Sequence, residues 1–405
     1  MCSGMCRAGI ALMLGLLGGL GIPTAVWAQA GYYVTPSFSF SEVYDDNLFS
    51  TSTGRESDIY SRFSPSLQGG YQSAPLTLLG SYAFDSEVYP GHPELTKALA
   101  GQRASIEASY RPDRFLTLSF IAQYTESETS RDINTLTGID QGRRRSQQYS
   151  FSPSVGYRFS PFTSGNAGYA FSQVASGGST SSHTLNLGLN QQITPKDTIS
   201  MGVVGRLFFS PQDRGDSFST QDRGDSTESY AITLGWSRPL TSFTTMALQA
   251  GPRLTEGSLG AEVLASISQR LKNGQVSLTY SQSQNLVAGL SNAVNTNSFA
   301  ASISYEPLRR LQLGAIASIS RNTQVQSTQT RTGDTQGDNT VNVYALGLNA
   351  SYPFNKWLSL QSSYQFSFQQ GILSSSSAAV TGNGGDIYHN IVTLGLAITF
   401  PSRVY

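Results

Sequence analysis

The sequence predicts an all-β protein: a transmembrane, antiparallel, up-and-down β-barrel of about 18 strands (16–18), with short periplasmic turns and long extracellular loops. Composition is the first reason. Only 13% of the 405 residues are charged, against roughly 25% in average soluble domains, while Gly (40), Tyr (20) and Phe (20) are abundant. Beyond residue 30 no run approaches the roughly 18 apolar residues of a membrane helix. Any membrane crossing is therefore expected to use strands.

Residues 1–30 are predicted to be a cleaved secretory signal peptide. Arg7 precedes an apolar run over 8–22, and small residues allow cleavage after Ala28 or Ala30. Cys2 and Cys6 both lie inside this peptide, so the mature protein is expected to lack cysteine and disulfides. Residues 31–405 are then expected to form a single barrel domain. Their net charge is 25 − 26 = −1, which gives no reason to expect a nucleic-acid partner.

The last strand gives the second reason, the alternation of apolar and small or polar residues. Apolar side chains occupy the even positions from 392 to 400, and small or polar ones lie between them, as expected for a wall between lipid and water. This strand also resembles the C-terminal insertion signal of outer-membrane barrels, which implies recognition by the outer-membrane assembly machinery. The matching residues are Thr393, Gly395, Ile398 and Phe400. Because Pro401 cannot donate a ladder hydrogen bond, the signal either ends at Phe400 before a short periplasmic tail or uses Tyr405.

Regularly spaced turn signals are the third reason. Seven of the eight contain Pro and the eighth is Asn-Gly, and their spacing fits two strands plus one longer loop. They lie at 72–75, 111–114, 159–162, 194–197, 238–241, 271–274, 306–309 and 352–355. The count gives eighteen strands, the last closing onto residues 34–44. Aromatic residues gather beside these turns and predict one interfacial girdle. They are Tyr71, Tyr110, Phe115, Phe159, Phe162, Trp236, Phe243, Tyr305, Tyr352, Phe354 and Trp357.

The longer connections are rich in Ser, Thr, Gly, Asn and Asp and are predicted to face outward. They cover 45–57, 87–99, 126–145, 174–182, 210–226, 284–295, 321–338 and 370–386, with a much shorter one near 256–259.

The opening hairpin carries a family resemblance. Residues 36–49 (PSFSFSEVYDDNLF), followed by SD at 57–58 and FSPSL at 63–67, resemble the N-terminal signature of the β-barrel porin type 2 family of bacterial outer-membrane proteins. The resemblance implies an outer-membrane barrel and an association with exopolysaccharide systems, and hence polysaccharide-export components as partners. It implies no catalytic residues.

Charged residues in the polar phase of the strands are candidate lumen-lining groups. An eighteen-stranded barrel is too wide for side chains to fill, so such charges can stay hydrated. They would favour anions or polar solutes, bind sugars by hydrogen bonds, or simply pair with each other along the wall. The candidates are Arg62, Arg103, Glu107, Arg111, Arg158, Arg206, Arg253, Glu262 and Arg270.

The loop over 126–145 has two interpretations. Folded into the lumen, it would form a charged constriction. Extended outward, its arginines would contact lipopolysaccharide phosphates. The charged residues concerned are Glu126, Glu128, Arg131, Asp132, Arg143, Arg144 and Arg145, with Asp140 in the same loop.

Few residues suggest enzyme chemistry. The histidines are His92, His183 and His389, and Asp386 with His389 is the best candidate dyad. The hexapeptide QDRGDS recurs at 212–217 and 221–226, as an insertion in a surface loop would leave it. Asp45 and Asp46, like the acids of that repeat, suit turns better than a calcium site. We therefore expect no enzyme, metal site or cofactor.

The sequence as a whole predicts a passive outer-membrane channel for small polar solutes or sugars, in contact with lipid and lipopolysaccharide. The alternative is an exopolysaccharide-secretion or structural barrel without an open pore. A barrel hydrolase is the third hypothesis.

Overall fold

A computed structural model describes residues 31–210, 225–288, 290, 293–325, 340–371, 385–400 and 403–404. Within them, eighteen antiparallel strands form one closed barrel, as the turn count predicts. The strands are β1 (Gly31–Asp45), β2 (Asp58–Gln72), β3 (Leu76–Val88), β4 (Lys97–Tyr110), β5 (Leu116–Thr129), β6 (Arg143–Arg158), β7 (Thr163–Ala175), β8 (Ser179–Gln192), β9 (Thr198–Ser210), β10 (Asp225–Pro239), β11 (Thr244–Thr255), β12 (Ser258–Leu271), β13 (Gly274–Asn285), β14 (Val294–Leu308), β15 (Leu311–Gln324), β16 (Thr340–Pro353), β17 (Leu358–Gln370) and β18 (Ile387–Thr399). Two short 3₁₀ helices, Pro93–Leu95 and Ser130–Asp132, lie between strands.

The barrel closes where the last long strand meets the first, so the prediction for the C-terminal strand is confirmed. The β1–β18 ladder runs from Ser37 opposite Thr399 to Asp45 opposite Ile391. Beyond it, a two-residue strand, β19 (Arg403–Val404), pairs again with β1. Closure leaves no unpaired strand edge, which a lipid environment requires.

The outer face of the barrel is apolar. Along β18 the even positions point outward, and Leu394 and Phe400 are about half exposed. Across the described strands most exposed large side chains belong to the same outward phase, for example Leu187, Ile232 and Leu348, whereas Ile121 and Leu264 lie in the inward phase. An apolar exterior on a closed antiparallel barrel is the structure that spans the bacterial outer membrane, which is where this protein resides. Among the described residues, no helix is long and apolar enough to cross a membrane.

The eight predicted turns all connect neighbouring strands at one end of the barrel, which by the bacterial rule is the periplasmic end. Aromatic residues beside them, such as Phe159, Phe243 and Trp357, are exposed on the outer surface. One predicted loop is wrong in length: over 174–182 only residues 176–178 leave the strands, because β7 and β8 continue to Ala175 and Ser179. The predicted signal peptide and nearly all of the repeated QDRGDS loop lie outside the described residues.

The three clusters of buried apolar side chains lie at the outer end of the lumen. One cluster contains Ile139, Val287, Leu290, Val294, Val341 and Val343. A second contains Ile133, Val174 and Ala288, and a third contains Val43, Leu48, Tyr60 and Tyr89. The residues of these clusters belong to loops or are inward-facing residues at the outer ends of strands. The loops at this end therefore fold into the barrel.

Candidate functional site: a segment across the outer mouth of the lumen

Residues 130–142, between β5 and β6, form what we call the crossing segment. In a ring of eighteen strands, β14 and β15 lie opposite β5 and β6. The crossing segment reaches that opposite wall: Ser320 Oγ on β15 donates a hydrogen bond to the Thr137 carbonyl (2.7 Å), and Asn322 Nδ2 donates to the same oxygen (3.2 Å). The loop therefore spans the lumen. The 126–145 loop thus folds into the lumen, as the first of the two interpretations of its sequence expects, and does not extend outward.

Gln369, on β17, holds the crossing segment by its backbone. Its Oε1 accepts a hydrogen bond from the Asp140 N–H (2.8 Å), and its Nε2 donates to the Asp140 carbonyl (3.2 Å). The side chain is 2% exposed. Because a buried amide satisfied at both ends cannot be shifted without losing hydrogen bonds, this contact fixes the position of the segment.

Apolar packing supplies the second attachment of the crossing segment. Ile139 is fully buried against Val341 and Val343 of β16 and Val294 of β14. Burial of one such side chain stabilises a structure by roughly 1.5–3 kcal/mol. Val341 and Val343 occupy the inward phase of β16, so on this strand valines face the lumen where the segment covers them.

The β13–β14 loop joins the crossing segment inside the barrel. Asn134 Oδ1 accepts a hydrogen bond from the Ala288 N–H (2.7 Å), and its Nδ2 donates to the Ile139 carbonyl (3.0 Å). Farther round the wall, Thr180 Oγ1 of β8 donates to the Leu290 carbonyl (3.1 Å). Two loops from different parts of the chain thus narrow the mouth together.

A buried polar cluster, which we call the latch, ties the crossing segment to the closing strands. Its members are Asp140, Ser50, His389 and Asp45, all at most 6% exposed. Ser50 Oγ donates to Asp140 Oδ2 (2.6 Å), and His389 Nδ1 lies 3.7 Å from the same oxygen. On its other side, His389 Nε2 lies 2.6 Å from Asp45 Oδ1. The latch therefore connects β1, β18, the β1–β2 loop and the crossing segment.

The pKa of Asp140 reflects this environment. Burial by itself favours the neutral acid, but the hydrogen bonds from His389 and Ser50 and the positive charge of Arg131 outweigh it. The net effect lowers the pKa below its usual value of 3.8. Asp140 is therefore ionised at neutral pH and holds its partners as a carboxylate.

The predicted histidine dyad is not formed as expected. His389 pairs with Asp45 and Asp140, and the chain neighbour Asp386 takes no part in the latch. The reason is the strand phase: His389 lies in the same inward phase of β18 as Ile391, which pairs with Asp45 of β1. His92 contacts Glu56 and Glu94 in the loops. His183 packs among Tyr169, Phe171 and Phe209 on the outer face.

Ser50, His389 and Asp45 have the residue types of a hydrolytic triad. The Ser50 Oγ lies 3.5 Å from His389 Nδ1, and Ser50 has a positive φ of 53°. However, its hydroxyl donates to Asp140, and all three side chains are enclosed beneath the loops. A nucleophile must reach its substrate, so this geometry favours an anchoring role.

Ligand atoms of Asp45, Asp46 and His389 lie within 4.8 Å of one another, which is close enough for a metal ion. Each of the three is already hydrogen-bonded. Asp46 accepts from both the backbone and the side chain of Asn390 (2.6 Å each), and Asp45 accepts from the Asn47 N–H (2.9 Å). Turn and strand contacts account for these carboxylates.

The charged residues of the 126–145 loop separate into different environments. Glu126 pairs with Arg145 (2.7 Å), and Glu128 pairs with Lys97 (2.7 Å), at the upper ends of the strands. Arg144 donates to the Ser176 carbonyl (3.4 Å).

Among the remaining charged residues of this loop, Arg143 is the arginine that turns inward. It donates to the Tyr89 hydroxyl (3.1 Å) and lies 3.9 Å from Glu87. Asp132 accepts from Ser127 Oγ (2.6 Å), and Arg131 acts on the latch by its charge. The three arginines that are consecutive in the sequence, at 143–145, therefore do not form one surface.

Two groups of ion pairs line the lumen wall. On β2–β4, Arg62 pairs with Glu87 (2.9 Å), and Arg103 binds Asp85 through two hydrogen bonds (2.8 and 2.9 Å). Together with Arg143 this group has three arginines and two carboxylates. The Arg62–Glu87 and Arg103–Asp85 pairs each join inward positions of adjacent strands, as the register requires.

The second group lies on β9–β12. Glu262 accepts from Arg206 (2.6 Å) and from Arg253 (3.3 Å), and Arg253 also donates to Asn295 Oδ1 (2.7 Å). Two arginines share one carboxylate. Like the first group, it has one more positive than negative charge.

The other predicted lumen residues lie nearer the periplasmic turns. Glu107 and Arg270 face inward and are exposed, and Arg158 ends β6 beside its turn. Arg111 is one residue beyond the end of β4 and belongs to the turn. Of the insertion-signal residues, Ile398 and Phe400 face outward, while Thr393 and Gly395 belong to the inward phase.

Sequence reasoning missed Ser50, Asp85, Tyr89, Asp140 as an anchor, Gln369 and the apolar residues of the mouth. A signal for some of them is present. On β16 the inward positions 341, 343, 345, 347, 349 and 351 change from Val to Ala, Gly, Asn and Ser toward the periplasm. Apolar residues at the outer end of an otherwise polar phase indicate that something covers them.

Comparison with known proteins gave structural neighbours only. No family model matches the chain, and no curated protein matches it. The siderophore receptor PirA from Acinetobacter baumannii is similar over 93% of this chain and 81% of its own, at 7% identity and a TM-score of 0.48. A mutant of the ferric enterobactin receptor PfeA from Pseudomonas aeruginosa is similar over 92% and 81%, at 10% identity and 0.47. A loop-deletion mutant of OmpT, an outer membrane protein of Vibrio cholerae, is similar over 92% and 100%, at 10% identity and 0.39.

Proposed function

We propose that this outer-membrane barrel is a channel for the passive passage of small polar solutes, narrowed at its outer mouth by the crossing segment. The carrying observation is that this segment spans the lumen and is held at both walls. A barrel of eighteen strands encloses a lumen that side chains alone cannot fill. A loop that narrows such a lumen sets which solutes pass, through size and charge.

The wall charges support a preference for anions among charged solutes. Each ion-pair group has one arginine more than it has carboxylates, and farther down the exposed inward residues Arg158 and Arg270 outnumber the carboxylate of Glu107. A water-filled passage lined by excess positive charge raises the local concentration of anions. The similarity of the opening hairpin to the β-barrel porin type 2 family agrees with a role at the cell surface.

The test is the conductance of the full-length, refolded protein in planar lipid bilayers. We expect discrete conductance steps, with a reversal potential in a salt gradient that shows moderate anion preference. Protein that is fully folded, by its heat-modifiable migration in gels, and yet gives no step at any voltage would contradict the open channel.

One observation favours a second candidate, a barrel for exopolysaccharide secretion or surface structure that is closed at rest. The apolar residues at the mouth, including Ile139, Val294 and Val341, are completely shielded from water. Under this alternative, wild-type protein gives no steps, and conductance appears only when the crossing segment is replaced by a short linker. Loss of polymer export on deletion of the gene, in cells whose other transport is intact, would support it further.

A hydrolase is the least supported function. His389→Ala should leave any ester or peptide hydrolysis by the purified protein unchanged, because the latch is enclosed. Loss of a measurable hydrolytic activity in that variant, with the barrel still folded, would make the latch an active site.

A further inference from the structure

A cavity of about 210 Å³ lies on the lumen wall at the periplasmic end of the barrel, beside the β6–β7 turn. Five inward-facing polar side chains from four adjacent strands line it. They are Arg158 of β6, Ser164 of β7, Asn190 and Gln192 of β8, and Thr198 of β9. The cavity therefore lies at the opposite end of the lumen from the crossing segment.

The strand register brings these five side chains together. Arg158 pairs with Ser164, and Ser164 pairs with Asn190, so three inward residues lie side by side on neighbouring strands. Gln192 and Thr198 form the next inward pair toward the periplasm. Side chains that are paired on one face of adjacent strands lie roughly 4.5–5.5 Å apart at Cβ. The five polar groups therefore surround one small space.

The β6–β7 turn borders the cavity and is held by its own hydrogen bonds. Ser160 Oγ accepts from the N–H groups of Phe162 (3.2 Å) and Thr163 (3.0 Å) and donates to Thr163 Oγ1 (3.1 Å). Thr163 Oγ1 donates in turn to Gln191 Oε1 (2.6 Å). Because this border is already fixed, binding of a ligand beside it requires little ordering of the protein.

The five lining side chains, unlike those of the turn, are free to bind a solute. No hydrogen bond or ion pair joins any of these side chains to another described residue. Arg158 is exposed, and the unpaired polar atoms of the four half-buried residues are accessible. Gln369 at the outer mouth, by contrast, already uses both ends of its amide. Accessible, unengaged polar groups on one cavity indicate a binding site.

The charge of the cavity selects the class of ligand. Arg158 is the one charged residue of the lining, and its guanidinium offers five N–H donors. The hydroxyl and amide groups beside it can donate as well. Hydrogen bonds between charged groups are roughly twice as strong as neutral ones, and a guanidinium matches the geometry of carboxylate and phosphate oxygens. An anion gains this contribution, whereas a neutral sugar does not.

We propose that this cavity binds a small oxyanion, the carboxylate or phosphate group of a solute in the lumen. As a last binding step before release into the periplasm, the inference rests on the proposed channel function; as a binding site it can be tested without it. The volume restricts the ligand to small solutes, because cavities for drug-sized ligands run from roughly 300 to 1,000 Å³.

The test uses the full-length, detergent-refolded barrel with acetate, inorganic phosphate and glucose as separate probes. Saturation-transfer NMR detects bound acetate and glucose, and line broadening in phosphorus NMR detects bound phosphate. We expect saturable binding of acetate, of phosphate or of both, and none of glucose. The oxyanion that binds more tightly identifies the group that a permeating solute presents.

Arg158→Gln removes the charge and the fork of donors. We expect an approximately tenfold higher Kd for the oxyanion, equivalent to about 1.4 kcal/mol. Arg270→Gln is the matched control, because both arginines face inward beside a periplasmic turn. The backbone N–H of each donates to a phenylalanine carbonyl, that of Phe115 (2.8 Å) for Arg158 and that of Phe243 (2.7 Å) for Arg270. Arg270 lies on β12, outside the cavity, so the control should bind as the wild type does.

Two further variants separate a built site from the general charge of the lumen. Arg158→Lys keeps the charge but loses the planar fork, so its Kd should lie between those of the wild type and Arg158→Gln. Asn190→Leu keeps the size of the side chain and removes its amide, and we expect an approximately threefold higher Kd.

Several results would overturn the site. One is the absence of saturable oxyanion binding in the wild type, and another is equal binding in Arg158→Gln. Equal losses in Arg158→Gln and Arg270→Gln would assign the effect to the charge of the lumen as a whole. Glucose binding that depends on Asn190 would overturn the oxyanion as the class of ligand.

Bilayer recordings separate this proposal from the proposed function. Oxyanion binding that depends on Arg158 in a barrel that never conducts would support the site and contradict the channel. Stepwise conductance without oxyanion binding would support the channel and overturn the site.

Discussion

The outer and periplasmic halves of the lumen are lined by inward-facing residues of the same strands, yet these residues differ in how far they are exposed. In the outer half, inward residues such as Val341, Asn322 and His389 are at most 2% exposed, because two loops cover them. In the periplasmic half, inward residues such as Ser37, Gln68 and Arg270 remain accessible. The wall alone therefore does not determine passage. What folds onto the wall decides which half restricts solutes.

The largest expected effect on conductance comes from removing the crossing segment, which should make the outer half of the lumen as accessible as the periplasmic half. Replacement of residues 133–141 by a short Gly-Ser linker deletes the contacts with β14–β18 and should raise single-channel conductance several-fold. Heat-modifiable migration and the number of inserted channels serve as the folding controls. Unchanged conductance in a folded variant would mean that the crossing segment does not restrict the lumen.

A single buried change should have the next largest effect. Ile139→Asp introduces a charge where Ile139 is completely shielded among apolar side chains, and burial of an unpaired charge is costly. We expect the segment to leave the wall, with higher and noisier conductance. Leu136→Asp is the matched control, because Leu136 lies in the same segment and is 72% exposed. Equal effects of the two variants would argue against specific packing.

Protonation of the latch should change conductance less than the two preceding variants do, and this change depends on pH. The folded-state pKa of Asp140 is lowered, so its stabilising contribution is fully present above the usual value of 3.8 and is lost as pH falls through the lowered pKa. His389, Asp45 and Arg131 are the charged groups around it. Wild-type conductance should therefore rise reversibly below about pH 4, the usual range of an aspartate pKa.

Asp140→Asn tests the assignment of that pH dependence. The variant should be more open at neutral pH and should lose most of the acid response, because the titrating carboxylate is gone. Asp132→Asn is the control, since Asp132 is exposed in the same loop. If conductance still rises at low pH in Asp140→Asn, the group that titrates is not Asp140.

The smallest effect is expected in the periplasmic half. Arg270→Gln removes one exposed positive charge from the lumen and should reduce anion preference slightly, as a shift of reversal potential in a salt gradient. Conductance and gating should stay as in the wild type. A large change in gating would show that the two halves are not independent.

Most of the barrel could be predicted from the sequence because each strand repeats one simple requirement. Lipid on one side and water on the other impose a two-residue period, and short turns impose the spacing. The mouth follows no such local rule. Asp140 contacts Ser50, Gln369 and His389 across 90, 229 and 249 residues, so no window of sequence contains the site. Asp386 was the predicted partner of His389 because it is near in sequence, whereas strand phase decides the contact.

The closure between β1 and β18 also constrains the order of folding. Asp45 and His389 lie at opposite ends of the chain and meet only after the last strand has paired with the first. Long-range pairing of this kind is slow, and unpaired edges stay open to aggregation until it is complete. The latch cannot form before that step. Protease sensitivity of the 130–142 peptide bonds, followed during insertion, would therefore report the moment at which the barrel becomes a ring.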